Sequence, residues 1–464
     1  MAKRPSQTLD LRIILYGESE MKKTLYLKTI SLSLLVQFAH GEMPKVLSMK
    51  KRAEVRDQWL KERVETVLPD LLRREKIDMW LIIAREYNED PVIRTMLPAT
   101  WLNARRRTIL VIYDPGKNKP LETLAVARYD VGEVFKKAWE KEKQPDQWKR
   151  LSELIVERNP KKIAVNRSID YGLSDGLSST EYELLNEALS QKYQKRIVSG
   201  EKLAVGWLET RTANEMVVYE QICRIAHEII KEGFSDKVIQ AGVTTTDEVV
   251  WWYRERIREL KLVTWFHPTV DIQRAETGSF DFLTTFSKTD RPQNIIMPGD
   301  VLHVDFGITY LGLNTDTQEH AYVLRKGETE IPGYLKDALA QGNRLQDILT
   351  NSFKVGRTGN QVLKMSLDQA KKEGIKPMIY THPIGFHGHA AGTTIGMWDS
   401  QEGVPGHGDY PLHANTAYSI ELNAKVQVDE WDKEVAIMLE QDAFFDGTTV
   451  KYIDGRQTKW IIIP

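Results

Sequence analysis

Val301-Leu302-His303-Val304-Asp305-Phe306-Gly307, running on to Asn314-Thr315-Asp316-Thr317, is the stretch whose reading decides the fold. Val301, Val304, Phe306 and Ile308 are strand formers, and Pro298-Gly299-Asp300 supplies a turn before them. Residues 310–314 make a second turn, after which Ala321-Tyr322-Val323-Leu324 continues a second strand. Two aspartates eleven residues apart therefore fall on neighbouring strands. A carboxylate inside an apolar strand is costly to bury unless something pairs with it, and two of them side by side repel. A divalent cation removes both objections, whereas two solvated strand ends would need none.

Two glutamates repeat the pattern further along. Ala417-Tyr418-Ser419-Ile420-Glu421-Leu422 and Val435-Ala436-Ile437-Met438-Leu439-Glu440-Gln441 each read as a strand carrying one carboxylate, with no lysine or arginine alongside it. Between the aspartates and the glutamates, Tyr380-Thr381-His382-Pro383-Ile384-Gly385-Phe386-His387-Gly388-His389-Ala390-Ala391-Gly392 holds three of the chain's ten histidines. Histidine offers a neutral nitrogen to a metal and a proton carrier near neutral pH. The glycines let the backbone approach a ligand. One such nitrogen with four carboxylates suits a pair of hard or borderline divalent cations such as Mn²⁺, Zn²⁺ or Co²⁺.

The elements around these motifs are mixed. Residues 52–75 carry apolar residues at helical spacing, and Met79-Trp80-Leu81-Ile82-Ile83 follows as a strand. Strands are expected at 107–113, 124–127 and 162–165, and helices at 131–141, 146–158 and 179–191, which makes an α/β domain over about 45–200. The charge run 136–149 reads as a solvated helix face, and Arg105-Arg106-Arg107 as surface cations. In the second half, helices are expected at 210–232, 246–260, 331–353 and 358–371. Thr212 and Glu215 form a capping box for the first, and Gly374 stops the last. A strand is expected at 262–266.

The chain of 464 residues has room for two or three domains, and its 41% hydrophobic and 28% charged content is that of a soluble globular protein. A net charge of −1 gives no electrostatic case for nucleic acid or a membrane surface as a partner. The single cysteine, Cys223, reads as a core thiol and excludes an intramolecular disulfide. Met21-Lys22-Lys23, the apolar run 24–36 and Ala39-His40-Gly41 follow the order of a secretory signal. Residues 1–20 then read as an upstream extension, with 1–41 removed from an exported protein that begins near Glu42.

Taken together, the order Asp305, Asp316, the segment His-x-x-Gly-x-x-x-His, Glu421 and Glu440 resembles the creatinase, methionine aminopeptidase, prolidase and aminopeptidase P group, the pita-bread metallopeptidases. The likeness covers about 205–464, and 45–200 resembles the smaller α/β domain that precedes it in prolidases, aminopeptidases P and creatinases. It implies an α+β fold, two divalent ions per chain (Mn²⁺ first), a homodimer and a proline-containing peptide substrate. Residue by residue, Asp305 would chelate one ion, Asp316 and Glu440 would bridge both, His382 and Glu421 would hold the second, and His389 would handle protons beside them. The resemblance further implies a hydroxide held between the ions that attacks the scissile carbonyl. An alternative register makes His389 the ligand but leaves Gly396 where the second histidine should stand. Three departures bear on substrate contacts. Ala390 follows His389 where an acidic residue is usual, and Thr317-Gln318 replaces Thr-Arg. Phe286 and Ser287 stand where a histidine is usual, with His267 too far back to replace it. The expected activity is that of an exported Xaa-Pro aminopeptidase. The alternatives are a prolidase acting on Xaa-Pro dipeptides, a metal-free creatinase-like hydrolase, and a non-catalytic binding module. The two-domain length and the signal argue against a methionine aminopeptidase.

Overall fold

Apolar residues that alternate on both faces build the first sheet. In the computed structural model, which describes residues 43–116, 119–276 and 294–464, the strands are β1 (Met79–Arg85), β2 (Arg107–Tyr113), β3 (Glu122–Ala125), β4 (Lys136–Lys137), β5 (Ile163–Val165) and β6 (Ile197–Ser199). Their order is β4-β3-β2-β1-β5-β6, with β1 antiparallel to β2 and parallel to β5. Trp80 and Ile82 point to one face, where they pack with Leu68 and Leu72 of helix α1 (Met49–Glu75). Met79, Leu81 and Ile83 point to the other, against Leu151, Leu154 and Ile155 of α2 (Gln147–Arg158) and Leu185 of α3 (Ser179–Ala188). This strand is covered on both sides, so it reads as a continuous apolar run. Of the basic triplet, Arg107 is engaged by Glu181 at 2.6 Å and Arg105 lies 4.2 Å over the Trp101 ring. The signal segment and the Phe286-Ser287 stretch fall outside the described residues.

Two expected elements take another form. Residues 131–141 are not a helix. Gly132 has φ +62°, and Val131 and Phe135 are both buried and bridge to each other. The chain then adds β4 beside β3. Val131, Val134, Phe135 and Ala138 do fall at helical spacing, but here that spacing serves a tight turn over the sheet edge. Residues 262–266 are not a strand. Lys261, at φ +58°, ends the preceding helix, and Val263 makes one bridge to Thr309. Side chains then fix the segment: Trp265 donates its indole N–H to Thr315 O at 2.9 Å, and Thr264 Oγ1 lies 2.7 Å from Gly307 O.

The second half holds the remaining sheets. Strands β7 (Thr269–Gln273), β8 (Val301–Phe306), β11 (Thr317–Val323) and β19 (Ile461–Ile463) form one sheet in the order β19-β11-β8-β7. The turn between β8 and β11 carries its own small hairpin, β9 (Thr309–Tyr310) and β10 (Leu313–Asn314). Strands β12 (Lys376–Ile379), β15 (Leu422–Val428) and β16 (Lys433–Leu439) make a second sheet. A third is made by β13 (His382–Pro383), β14 (Thr416–Ser419), β17 (Asp442–Phe445) and β18 (Val450–Tyr452). Following α4 (Glu201–Glu209), α5 (Ala213–Gly233) and α6 (Thr246–Glu259) back the first of these sheets through Ile222, Ile229, Tyr253 and Ile257 against Leu302, Val304 and Phe306. Helices α7 (Gly333–Asn351) and α8 (Gly359–Lys372) back the second, and Gly374 at φ +77° turns the chain out of α8. Among the described residues no helix is long and apolar enough to cross a membrane.

The capping box of α5 does more than cap. Thr212 N–H donates to Glu215 Oε2 at 2.8 Å, while Arg63 of α1 reaches the same carboxylate at 3.0 Å and Arg211 lies 3.7 Å away. All three side chains are buried, so one carboxylate holds two guanidiniums and ties α1 to the second half. Burial pulls Arg63 down to about 10 against the opposing pull of Glu215.

Further along α5, buried His227 donates Nδ1–H to Asp454 at 2.9 Å and Nε2–H to Gln441 Oε1 at 2.8 Å. Burial opposes the charged ring, but the Asp454 hydrogen bond and the Glu319 charge outweigh it and raise His227 to about 9. Stability from this pair is fully present below the unfolded pKa of about 6.5 and is lost as pH rises through 9. His227→Gln should remove a pH-dependent contribution on the order of 3 kcal/mol, seen as a flatter unfolding free energy between pH 7 and 9. An unchanged slope would contradict this assignment.

Candidate metal centre

The carboxylates sit where strands change partners. The chain from Thr416 to Val428 leaves the third sheet after Ser419 and joins the second at Leu422, so Glu421 stands at the break. Glu440 stands at the matching break between β16 and β17. The expectation put both inside uninterrupted strands; the structure puts them at the crossing, where the backbone turns each carboxylate toward a common point. Gln318 N–H donates to Glu440 O at 3.0 Å and thereby joins β11 to that crossing. Asp305 lies near the end of β8, and Asp316 immediately precedes β11. His382 opens β13, paired with Ser419.

These five side chains converge with His389. Three sets of ligand atoms lie within 4.8 Å of one another: Asp305, Asp316 and Glu440; His382, Glu421 and Glu440; and Asp316, His382 and His389. His382 Nε2 is 3.3 Å from Glu440 Oε1, 3.5 Å from Asp316 Oδ2 and 3.8 Å from Glu421 Oε2. Its Nδ1–H donates to Pro383 O at 2.9 Å, so Nε2 is the nitrogen that faces the carboxylates. His389 is exposed; its ring lies 4.7 Å from that of His382 and 5.1 Å from that of Trp265. His382 thus takes part in two of the three sets and His389 in one.

The electrostatics are those of a site built for positive charge. Burial first, then the neighbouring Glu440 carboxylate, raises Asp305, Asp316 and Glu421 well above the usual carboxylate range. Burial works against the charged His382 ring, yet contact with Glu440 and Glu421 raises it to about 9. Burial and then the His382 charge beside it lower His389 to about 4, against the opposing pull of Glu440. Asp305 Oδ1, Asp316 Oδ1 and His382 Nε2 are buried without hydrogen-bond partners among the described residues. Unpartnered oxygen and nitrogen lone pairs converging at ligand spacing are what divalent cations of the oxygen- and nitrogen-binding class require, so the residues fit them.

Four contributors were not singled out as functional from the sequence. The Gln318 amide touches two carboxylates, those of Glu421 and Glu440. Ser419 Oγ donates to Glu440 Oε1 at 2.5 Å, and Asp442 accepts the Asp316 N–H at 3.3 Å. Burial and the Glu440 charge raise Asp442 to about 8. Trp265 packs against Gly388, where a Cβ would come within 2.2 Å of the indole. Gln318, Ser419 and Asp442 each lie two residues from a carboxylate already identified, and period-two alternation was the available signal. Nothing local marked Trp265. A separate cleft of about 610 Å³ on the N-terminal half, lined by residues such as Lys61, Asp70, Arg73 and Lys119, contains none of the clustered side chains.

Comparison with known proteins supports the same part of the chain. Residues 218–445 match the model of metallopeptidase family M24. No curated protein matches the chain. Among solved structures, it is similar to an X-Pro aminopeptidase from Thermotoga maritima, with TM-score 0.58 and 17% identity over 84% of this chain and 99% of that one. A Xaa-Pro dipeptidase from Bacillus anthracis gives TM-score 0.53 and 17% identity over 89% of this chain and 100% of that one. A variant of Escherichia coli aminopeptidase P gives TM-score 0.55 and 10% identity over 89% and 96%. At these identities the structural likeness shows the shared fold, the α+β pita-bread architecture with its preceding α/β layer.

Proposed function

We propose that this chain, a metallopeptidase by its family M24 domain over residues 218–445, is an exopeptidase that hydrolyses Xaa-Pro bonds at a centre of two divalent cations. The observation that carries the reading is the convergence of four carboxylates and one histidine, three of them with buried lone pairs that nothing else in the described structure satisfies. Asp305, Asp316 and Glu440 would hold one cation, and His382, Glu421 and Glu440 the other, with Asp316 beside both. Mn²⁺ is the proposed metal, from the carboxylate-rich donor set. When bound, the cations supply Lewis acidity toward the scissile carbonyl and lower the pKa of water.

The chain's own residues do the rest. Asp305 and Glu421 are only half-buried and His389 is exposed, so the centre opens to a peptide on the His389 side. His389 stands there to hydrogen-bond the reacting peptide and pass a proton to the leaving amine. The Trp265 ring holds the His389 ring edge-on and borders the same opening. We further propose export through the signal segment beginning at Met21 and assembly as a homodimer.

The experiment is cleavage by the Mn²⁺-loaded protein of Gly-Pro and of a longer peptide with proline second. Release of the first residue from the longer peptide is the expected result. Cleavage of Gly-Pro alone would make the protein a prolidase, and cleavage of neither would contradict Xaa-Pro specificity.

A further inference from the structure

Gln318 is a neutral side chain buried inside the carboxylate cluster. Its Nε2 lies 2.6 Å from Glu421 Oε1 and 2.8 Å from Glu440 Oε2, and its Oε1 lies 2.9 Å from His303 Nε2. An amide nitrogen has two hydrogens, and here both face carboxylate oxygens. The amide oxygen must then accept, so His303 donates Nε2–H. Asp271 Oδ2 lies 3.9 Å from the other nitrogen of that ring, and the His320 ring packs against it at 5.2 Å between centroids. The position of Gln318 is itself fixed, because its N–H and C=O both bridge to the Glu440 backbone, at 3.0 and 3.4 Å.

The hydrogen bonds divide the carboxylate lone pairs. Glu440 receives Gln318 on Oε2 and Ser419 on Oε1, so each oxygen retains one in-plane lone pair. Glu421 receives Gln318 on Oε1, and its other oxygen is the one that faces His382. A carboxylate shared by two cations needs one lone pair from each oxygen, and both carboxylates need a fixed orientation to present them.

We propose that Gln318 is a positioning residue of the metal centre: its amide, oriented by His303, fixes the Glu421 and Glu440 carboxylates so that Glu421 Oε2 faces His382 and each Glu440 oxygen keeps a free lone pair. Gln318 supplies two hydrogen bonds without adding charge to a site of four carboxylates. A guanidinium in its place would compete with the cations for the same oxygens, and a carboxylate would add repulsion. The inference rests on the reading of this cluster as a two-cation centre.

The test is stepwise Mn²⁺ binding by calorimetry, with metal counted per chain, on the full-length wild type, Gln318→Met and His303→Phe. Met keeps the length of Gln and has no N–H to donate; Phe keeps the ring of His303 and removes its donor. For Gln318→Met the expected result is affinity for one of the two cations about 10–100-fold weaker, the scale of outer ligand-orienting contacts. Binding is read well below the melting temperature of each metal-free variant, so that stability lost with the hydrogen bonds does not enter the affinity. His303→Phe should weaken the same cation by a smaller factor, and it decides the matter alone if Gln318→Met does not fold. Two cations bound to both variants with wild-type affinities would overturn the role of Gln318 and leave the two-cation centre standing. A wild type that takes up no divalent cation would overturn both.

Discussion

Glu440→Ala is expected to empty the centre of both cations together and to lower turnover on a Xaa-Pro peptide by more than the ~10–100-fold of an outer-contact change. Glu440 belongs to two of the three converging sets, including both proposed cation positions, and approaches His382 to 3.3 Å, so its loss takes a ligand from each. It is also the neighbour that raises Asp305, Asp316 and Glu421 once burial has acted. Removing it relieves repulsion in the metal-free fold, so the variant should fold at least as well as wild type without metal. Loss of activity would then come from the empty centre, not from unfolding. The same assay separates the histidines: His382→Ala should lose metal, whereas His389→Ala should keep both cations and lose turnover. Retention of both cations by Glu440→Ala, or the reverse pattern for the histidines, would contradict the ligand assignment.

Glu215→Ala is expected to destabilise the fold by about 3–5 kcal/mol, the scale of breaking a buried ion pair by removing one partner. Arg63 and Arg211 are both buried, and Glu215 is the carboxylate they share. Its loss strands two guanidiniums away from water and removes the Glu215 half of the capping box, leaving the Thr212 N–H without its acceptor. The effect should reach the centre, because Arg63 and Arg211 lie 4.8 and 4.4 Å over the Phe386 ring, in the loop between His382 and His389. Equilibrium unfolding in denaturant measures the loss. Glu215→Gln, which can still accept from Thr212 N–H, should lose less. A change below about 1 kcal/mol for Glu215→Ala would show that water or relaxation satisfies the two arginines.

Much of this was legible because buried charge is conspicuous in an apolar strand. Asp305 and Glu440 announced themselves by residue type and neighbours, and the order of motifs led to the M24 fold. Secondary structure failed where side chains replaced the ladder. Thr264 and Trp265 bind the backbone of residues 307–315, so 262–266 looked like a strand and is a strapped loop. Val131 and Phe135 look helical in spacing because both must be buried, but Gly132 turns the chain between them. Gln318 was visible only as a departure, since its role depends on a bridge to Glu440, 122 residues away. Sequence spacing carries no information about which strands cross, and it is at the crossings that Glu421 and Glu440 acquire their direction.

The most direct measurement is the metal content of the wild-type protein after equilibration with Mn²⁺ and removal of free ion. The account predicts two cations per chain, both released by chelation with loss of peptide cleavage and restored with it on reloading. A protein that holds no divalent cation, or that cleaves its peptide equally well after complete chelation, would contradict it.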